Sequence, residues 1–434
     1  MPTGIIESLD HEARGITRLA GKTVFVEGAL PDERVEYSCH RKKPTYEIAR
    51  VDRIVEASAS RVEPKCPHFG ICGGCSLQHL EPSAQVAVKQ RLLESSLWHL
   101  GRLAADRIYA PIHGSPWAYR FRARLSARLV PKKGGMLIGF HERRSSYVAD
   151  MRQCPILPGR VSDLLLPLRE LAAALSIRSA MPQIELAVGA AMTALVLRIL
   201  EPLDANDQGL LRDFADRHDI VFYLQPGGPA SVYRFYPLDE RRLSYFLPDY
   251  GIEHDFSPTE FTQVNHAINR MLVRRAMGLL EVRKGERIAD LFCGLGNFTL
   301  PIARAGAQAI GIEGNVGLVR RARDNAAANG LGDRVDYRAA NLFETTPETF
   351  AALGRFDKML IDPPREGAAE LVKAIGADGP RRIVYVSCNP ATLARDAAIL
   401  VHQKGYGLAG AGVVNMFPNT SHVESIALFE KICL

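Results

Sequence analysis

The chain has 434 residues, 47% hydrophobic and 24% charged, an ordinary globular balance with length for two to four domains and at least one sizeable core. No window approaches the roughly 18 uncharged apolar residues of a membrane span. The start, MPTGIIESLDHEARG, carries acids where a secretory signal needs a basic and then an apolar run, so a cytoplasmic protein without a membrane partner is expected.

The formal charge of +6 is unevenly spread. Lys and Arg number 9 against 10 Asp and Glu in residues 1–60, 16 against 6 in residues 61–160, and 29 against 32 in the remainder. Such a block is either a solvated basic face or the footprint of a polyanion, which clustered cations bind by releasing its counterions. The second reading is favoured, and it predicts a nucleic-acid partner.

In chain order, residues 1–58 show five short β runs, IIESLD, GITRLAG, TVFVEGAL, RVEYSCHRKK and YEIARVDRIVEA, punctuated by Gly, Pro and Asp. The pattern predicts a small barrel of the oligonucleotide-binding type. The stretch GITRLAGKTVFVEGALPDERVE resembles a TRAM domain, which implies RNA binding.

KCPHFGICGGC follows, with Cys66, Cys72 and Cys75 at C-x5-C-x2-C spacing. Three thiols so close in a cytoplasmic chain point to metal rather than to a disulfide. Cys154, in RQCPIL, is the candidate fourth ligand. Zinc usually takes paired C-x2–4-C knuckles, whereas a tight triple plus one distant cysteine suits an iron–sulfur cluster; zinc and a metal-free site are the alternatives. Its expected role is to staple the segment. Cys39, Cys293 and Cys433 are read as packing thiols.

Next come a helix in PSAQVAVKQRLLESSLWHL and a basic strand, YRFRARLSARL. There Arg120, Arg122, Arg124 and Arg128 fall at even spacing and Phe121, Ala123 and Leu125 alternate with them. Period two predicts an apolar face and an opposite ladder of guanidiniums suited to phosphate. Residues 160–255 mix helical and strand patterns without a chemical motif.

From FSPTEFTQVNHAINRMLVRRAMGLL the pattern changes. Ser257 and Thr259 are read as the start signal of an amphipathic helix. The strands RIADLF, AIGIE, VDYRAAN, FDKMLID and RIVYVS then alternate with helices, and closing strands run to ESIALFEK. This predicts a doubly wound α/β domain that binds ligands at the carboxyl ends of its strands. The domain borders so read are 1–58, 59–255 and 256–434.

The turn in DLFCGLGNF puts Gly294 and Gly296 at the start of a helix, where backbone can approach a ligand. A dinucleotide site would want a third glycine where Thr299 stands. Glu313 ends the next strand, placed to accept from ribose hydroxyls; Asn341 and Asp362 end the third and fourth. Together, glycine turn, strand-end acid and Asp-Pro-Pro look like a class I (Rossmann-like) methyltransferase using S-adenosylmethionine.

At YVSCNP, Cys388 stands where the fifth strand stops. Uracil C5 is a poor nucleophile, and a thiolate added to C6 creates the carbanion character at C5 that a methyl sulfonium needs. A base must then remove the C5 hydrogen. In NTSHVESIALF Glu424 is the candidate, with His422 its rival; Cys293 is the competing thiol.

FTQVN, DLFCGLGNF, GIE, DPPREG, VSCNP and SHVES together resemble the RNA uridine C5 methyltransferase family over nearly the whole chain, with no departure at a motif position. The resemblance implies cofactor contacts from Gln263, Phe292, Asn297, Glu313, Asn341 and Asp362, nucleophile Cys388, and base Glu424. Having both a TRAM-like barrel and the cysteines, the chain is most similar to the branch that methylates a domain IV uridine of 23S rRNA. That implies a 4Fe-4S cluster on Cys66, Cys72, Cys75 and Cys154, a small central α+β domain around it, and a monomer. Another rRNA or tRNA uridine is the alternative target. Rival classes are a cytosine-C5 enzyme, a non-enzymatic RNA-binding or iron–sulfur sensor, and a nicotinamide-dependent oxidoreductase.

Overall fold

The computed structural model describes residues 1–432; Cys433 lies outside the described residues. The N-terminal part is a six-stranded sheet of β1 (Thr3–Ile5), β2 (Ser8–Leu9), β3 (Gly15–Leu19), β4 (Lys22–Glu27), β5 (Arg34–Lys42) and β6 (Tyr46–Glu56), in the order β1-β5-β6-β4-β3-β2. One more strand is present than the five predicted. Ile6 turns fully inward to pack with Val24, Val26, Val35 and Tyr37, and that burial divides the first run into β1 and β2.

The helix Pro82–Ser96 leads into the central sheet. Its strands are β7 (Arg122–Val130), β8 (Gly135–Gly139), β9 (Gln183–Val188), β10 (Thr193–Arg198), β11 (Val221–Gln225) and β12 (Tyr233–Tyr236), in the order β12-β11-β10-β9-β7-β8. In β7 the residues Ala123, Leu125 and Ala127 are buried, as period two requires. The arginine ladder opposite them is partly claimed by the protein itself. Arg122 donates to the carbonyls of Glu260 and Pro258, and Arg124 pairs with Glu185 at 2.9 Å. Arg120 lies 5.7 Å above the Phe140 ring. Four free guanidiniums were expected; three are committed to carbonyls or a carboxylate, since Arg120 also donates to the Arg122 carbonyl at 3.0 Å.

The hairpin β13 (Ser244–Leu247) and β14 (Ile252–Asp255) packs into the core of the following α/β layer through Tyr245, Leu247 and Ile252. The next helix is His266–Leu280, capped by Asn265, whose side chain accepts from the Ile268 N–H at 3.2 Å. The start signal at Ser257 and Thr259 does not open a helix. Arg122 takes the carbonyls of Pro258 and Glu260, and the Ser257 N–H donates to the Glu260 side chain at 2.6 Å. Groups that would close the first helical turn are thereby diverted.

Seven strands follow: β15 (Arg287–Leu291), β16 (Gln308–Glu313), β17 (Val335–Ala339), β18 (Lys358–Ile361), β19 (Arg382–Ser387), β20 (Tyr406–Val414) and β21 (Glu424–Lys431). Their order is β17-β16-β15-β18-β19-β21-β20. The first five are parallel, and β21 inserts antiparallel between β19 and β20. Helices cover both faces, so β18 and nearly all of β15 and β19 are buried, as parallel sheets demand.

Strand β20 would be an open edge, but residues 106–112 run along it. Tyr109 N–H donates to the Ala411 carbonyl at 2.8 Å, Ile112 N–H to Val413 at 2.9 Å, and Ala411 N–H to Arg107 at 3.0 Å. Gly410 and Gly412 make room, since a Cβ at either would meet Tyr109 at 2.3 Å or 2.8 Å. Covering an edge in this way prevents pairing with other chains. Among the described residues no helix is long and apolar enough to cross a membrane.

Candidate active site

The carboxyl ends of β15, β16, β18 and β19 meet along one side of the sheet. The turn after β15 is held in left-handed geometry, with φ of 63° at Phe292, 54° at Gly294 and 90° at Gly296. Glu313 organises it from the end of β16: one carboxylate oxygen accepts from Gly294 N–H at 3.1 Å and the other from Asn315 N–H at 2.9 Å. The ring of Phe292 stands 5.5 Å from that of Phe343, next to Asn341, which accepts from the Phe343 N–H at 3.1 Å. His254 supports the turn from below. Burial pushes this imidazole down to about 4, so it is neutral; it contacts the Gly296 carbonyl at 3.2 Å and stacks on Tyr245.

Asn297 is differently engaged. It exchanges amide hydrogen bonds with Asn269, both 2.9 Å, and accepts from the Tyr245 hydroxyl at 3.0 Å. Its side chain is thus spent on the helix behind the turn. Gln263 lies half-buried in the loop just before that helix. Gly296 has no freedom to vary, because a Cβ there would lie 2.3 Å from the Tyr337 hydroxyl and φ is already +90°. Gly296→Ala is expected to cost about 1–3 kcal/mol of stability, read as a lowered denaturation midpoint.

The second group gathers at the other end of this rim. Register pairs Ser387 of β19 with Ser425 of β21, so Cys388 and Glu424 occupy the next positions on facing strands. Asp362 ends β18 beside them. Cys388 is half-buried and lines a cleft of about 1270 Å³ with Arg91, Arg365, Asn389 and His422. Glu424 is 5% exposed, and its Oε2 has no hydrogen-bond partner among the described residues. Burial pushes the Glu424 carboxyl up to about 8; Asp362 adds to this and Lys89 opposes it. Burial likewise lifts Asp362 to about 7. It lifts the Cys388 thiol to about 11, helped by Glu424 and Asp362 and opposed by Arg365. His422 is pushed down to about 4 by burial and then by Arg365, Lys89 and Arg120; its ring stands edge-on to Phe417 and its Nδ1 is 3.4 Å from Arg365.

The loop 415–423, which leads into Glu424, is clamped by distant segments. Ser76 and Leu77 N–H groups both donate to the Asn419 carbonyl at 2.9 Å. Asn419 also donates through its backbone N–H to Gln85 at 2.8 Å and through its side chain to the Pro116 carbonyl at 2.8 Å. Tyr119 donates to the Pro418 carbonyl at 2.8 Å. The residues at 76 and 77 directly follow Cys75, so the cysteine segment is hydrogen-bonded to the loop that presents Glu424.

Cys66, Cys72, Cys75 and Cys154 all line one small pocket walled by Phe69, Phe140, Met151 and Ile156. Cys66, Cys72 and Cys154 are buried, Cys75 is half-buried, and all four are free thiols. Gly74 N–H donates to the Cys72 sulfur at 3.4 Å. Among the described residues no three His, Cys, Asp or Glu side chains converge tightly enough to hold one metal ion. Cys293 is buried under the glycine turn and well above the usual thiol range through burial, away from the cleft of Cys388.

Three participants were not identified from sequence. Asp290, just before the turn, is fully buried and bonded to Thr299, and burial, with Asp362 adding, lifts it to about 7; an acid inside an apolar strand was the available signal. Lys89 and Asn419 gave no local signal, for each acts across more than 300 residues.

Residues 246–432 match the family model described as tRNA (Uracil-5-)-methyltransferase. Over 430 residues the chain is 65% identical to a protein of Dechloromonas aromatica named 23S rRNA (uracil(1939)-C(5))-methyltransferase RlmD, covering 99% of this chain and 100% of that one. A protein of Aromatoleum aromaticum with the same name is 60% identical over 432 residues, with 99% and 100% coverage. Among solved structures, the tRNA (uracil-54, C5)-methyltransferase of Pyrococcus abyssi in complex with S-adenosyl-L-homocysteine superposes with a TM-score of 0.74 at 22% identity, covering 99% of this chain and 100% of that one. That likeness establishes the fold.

Proposed function

The chain belongs to the RNA uracil-C5 methyltransferase family, and from that premise we propose that it methylates C5 of a 23S rRNA uridine with S-adenosylmethionine. The observation that carries the reading is the facing of Cys388, which lines the cleft, and buried Glu424 on neighbouring strand ends, with Asp362 acting on both. The target is the uridine in the relatives' names, uracil 1939.

The Cys388 thiolate adds to C6, and the pair displaced from the C5=C6 bond makes C5 nucleophilic. C5 takes the methyl, whose bond to sulfur breaks toward the departing thioether. Glu424 then accepts the C5 proton; the C5–H pair restores the double bond, and the C6–S pair returns to Cys388. His422 faces Arg365 and Phe417 instead. Glu313 and Asn341 hold the adenosine side of the donor, with Phe292, Gln263, Asp362 and the backbone of Asn297 around it. The uridine must leave its stack to reach this cleft. Residues 1–58 act as an RNA-binding barrel of the TRAM type, residues 59–255 as a basic α+β domain, and residues 256–434 as the catalytic domain of a cytoplasmic monomer.

We further propose a 4Fe-4S cluster on Cys66, Cys72, Cys75 and Cys154. In support, four free thiols share one apolar pocket and a backbone N–H points at one sulfur, and a tight triple of cysteines with one distant fourth suits such a cluster. When bound, it ties the cysteine segment to Cys154 and so steadies the 415–423 clamp. Protein prepared without oxygen should carry equal iron and acid-labile sulfide; bound zinc instead would refute the assignment.

The test of the function is incubation with S-adenosylmethionine and a 23S rRNA fragment containing 5-fluorouridine. Fluorine cannot leave C5 as a proton, so a protein–RNA species should survive a denaturing gel. If ordinary RNA is methylated and no such species forms, the target is an amine or a ribose oxygen. The rate should also rise with pH through neutrality. Cys388 and Glu424 both work deprotonated and both are shifted upward, to about 11 and about 8, so each unit of pH below these values withholds about tenfold of the working form. A pH–rate profile that falls from about pH 6 to 8 would contradict these roles.

A further inference from the structure

A second cavity, of about 600 Å³, lies where the N-terminal barrel meets the cysteine segment. Its walls come from the end of β4, from β6, from residues 61–79 and from the loop after β8. Arg50, Arg61, Arg143 and Arg144 all line it. Two of them brace the walls: Arg61 pairs with Glu33 of the barrel, and Arg144 with Glu12 and Glu27. The other two, Arg50 and Arg143, make no ion pair or side-chain hydrogen bond among the described residues. Arg143 is half-buried. Burial disfavours its charge; Glu12 relieves part of this cost, and Arg14 and Arg50 add to it.

His79 lines the same cavity and is 5% exposed, yet neither ring nitrogen has a hydrogen-bond partner among the described residues. Its ring lies against Phe69 at 5.3 Å. Burial pushes the imidazole down to about 4, with Arg61 and Arg143 adding and Glu33 opposing, so it is neutral and offers one N–H. A buried donor left unpaired is costly, and an anion lodged against the two arginines would satisfy it. The acids of the cavity do not fill that role. Glu27 is taken by Arg144, and Glu63 is exposed and bears on neither Arg143 nor His79.

We propose that this cavity binds one backbone phosphate of the RNA, held by Arg143 and Arg50 with the His79 imidazole as a further donor. The site deepens the reading of the chain as an rRNA methyltransferase and depends on it. Guanidinium forks fit the oxygens of a phosphodiester. Such a contact carries no sequence information, but it fixes the register of a strand. Ser76 is a wall of both this cavity and the Cys388 cleft, and its N–H and hydroxyl hold the loop that leads to Glu424. A phosphate seated here therefore sets the strand that delivers the target uridine.

The test uses 23S rRNA fragments that each carry one neutral methylphosphonate linkage on a deoxynucleotide near the target uridine. The same deoxynucleotide with an ordinary phosphate is the reference. On the reference, Arg143→Met should weaken binding about tenfold and flatten the slope of log K against log salt by about 0.7–0.9. KM should rise with kcat kept, since the lost contact serves ground and transition states alike. Wild type should lose as much at one internal linkage, and there Arg143→Met should lose nothing further. Arg143→Lys should restore the salt slope. His79→Phe, which keeps a ring against Phe69, should weaken binding to the reference and be silent at that linkage. Arg217→Gln, exposed on the helix Ala205–His218, should leave the slope unchanged; an equal loss there would mark an effect of net charge and overturn the site. The proposal also falls if no internal linkage couples to Arg143, if only a terminal phosphate does, or if Arg143→Lys binds as weakly as Arg143→Met. Fragments that wild type methylates without any such coupling remove the phosphate site alone. Fragments that it neither binds nor methylates remove the reading beneath it.

Discussion

Cys388→Ala is expected to reduce methyl transfer by on the order of 10⁴-fold or more, while S-adenosylmethionine binding and thermal stability stay close to wild type. The effect is large because the thiolate is what activates C5; positioning the donor over an unactivated uracil leaves no nucleophile to receive the methyl. No other thiol can substitute. Cys293 is 4% exposed beneath the glycine turn, and the four clustered thiols line a separate pocket. Stability should hold because Cys388 is only half-buried and ends its strand. The checks are tritiated methyl transfer, calorimetric titration with the donor, and the fluorouridine gel, on which the adduct should vanish. Retained transfer would remove Cys388 from the chemistry.

Glu424→Gln should behave in the opposite way on the same gel. Glutamine keeps the shape and much of the polarity of the site but cannot take a proton from C5. Addition and methyl transfer should proceed, so methylated RNA should become covalently attached to the protein even with natural uridine. Turnover should fall by about 10²–10⁴-fold, the usual worth of a positioned base. The variant should fold at least as well, since it removes an ionisable group that is 5% exposed and leaves one oxygen unpartnered. Free methylated RNA released at the wild-type rate would return the role to another group, with His422 first in line.

Much of the α/β layer was readable because buried parallel strands are continuous apolar runs and their ends are marked by Gly, Asp-Pro-Pro and Cys-Asn-Pro. The order of those marks exposed Cys388 and Glu424 as residues, but their meeting depends on β21 inserting between β19 and β20, which no local pattern encodes. Lys89 was unreadable for a related reason. A lysine on a mixed helix looks like a solvated side chain, and only the packing of that helix on the 415–423 loop buries it. The false helix start at Ser257 has a similar cause: the local signal is sound, and a guanidinium more than 130 residues away in sequence overrides it. Asn297 lies in the motif, and its amide is bonded to Asn269 and Tyr245, an arrangement set by tertiary packing that the motif does not encode.

The cover over strand β20 also bears on how the molecule is made. Residues 106–112 leave the ribosome roughly 300 residues before the strand they shield, and the loop clamped by Ser76, Gln85 and Tyr119 is made later still. A nascent chain therefore carries its basic surface long before it has Glu424 or the strand that seats it. Completion of the sheet and the meeting of Cys388 with Glu424 are one event, because β21 supplies both the strand that separates β19 from β20 and the carboxylate.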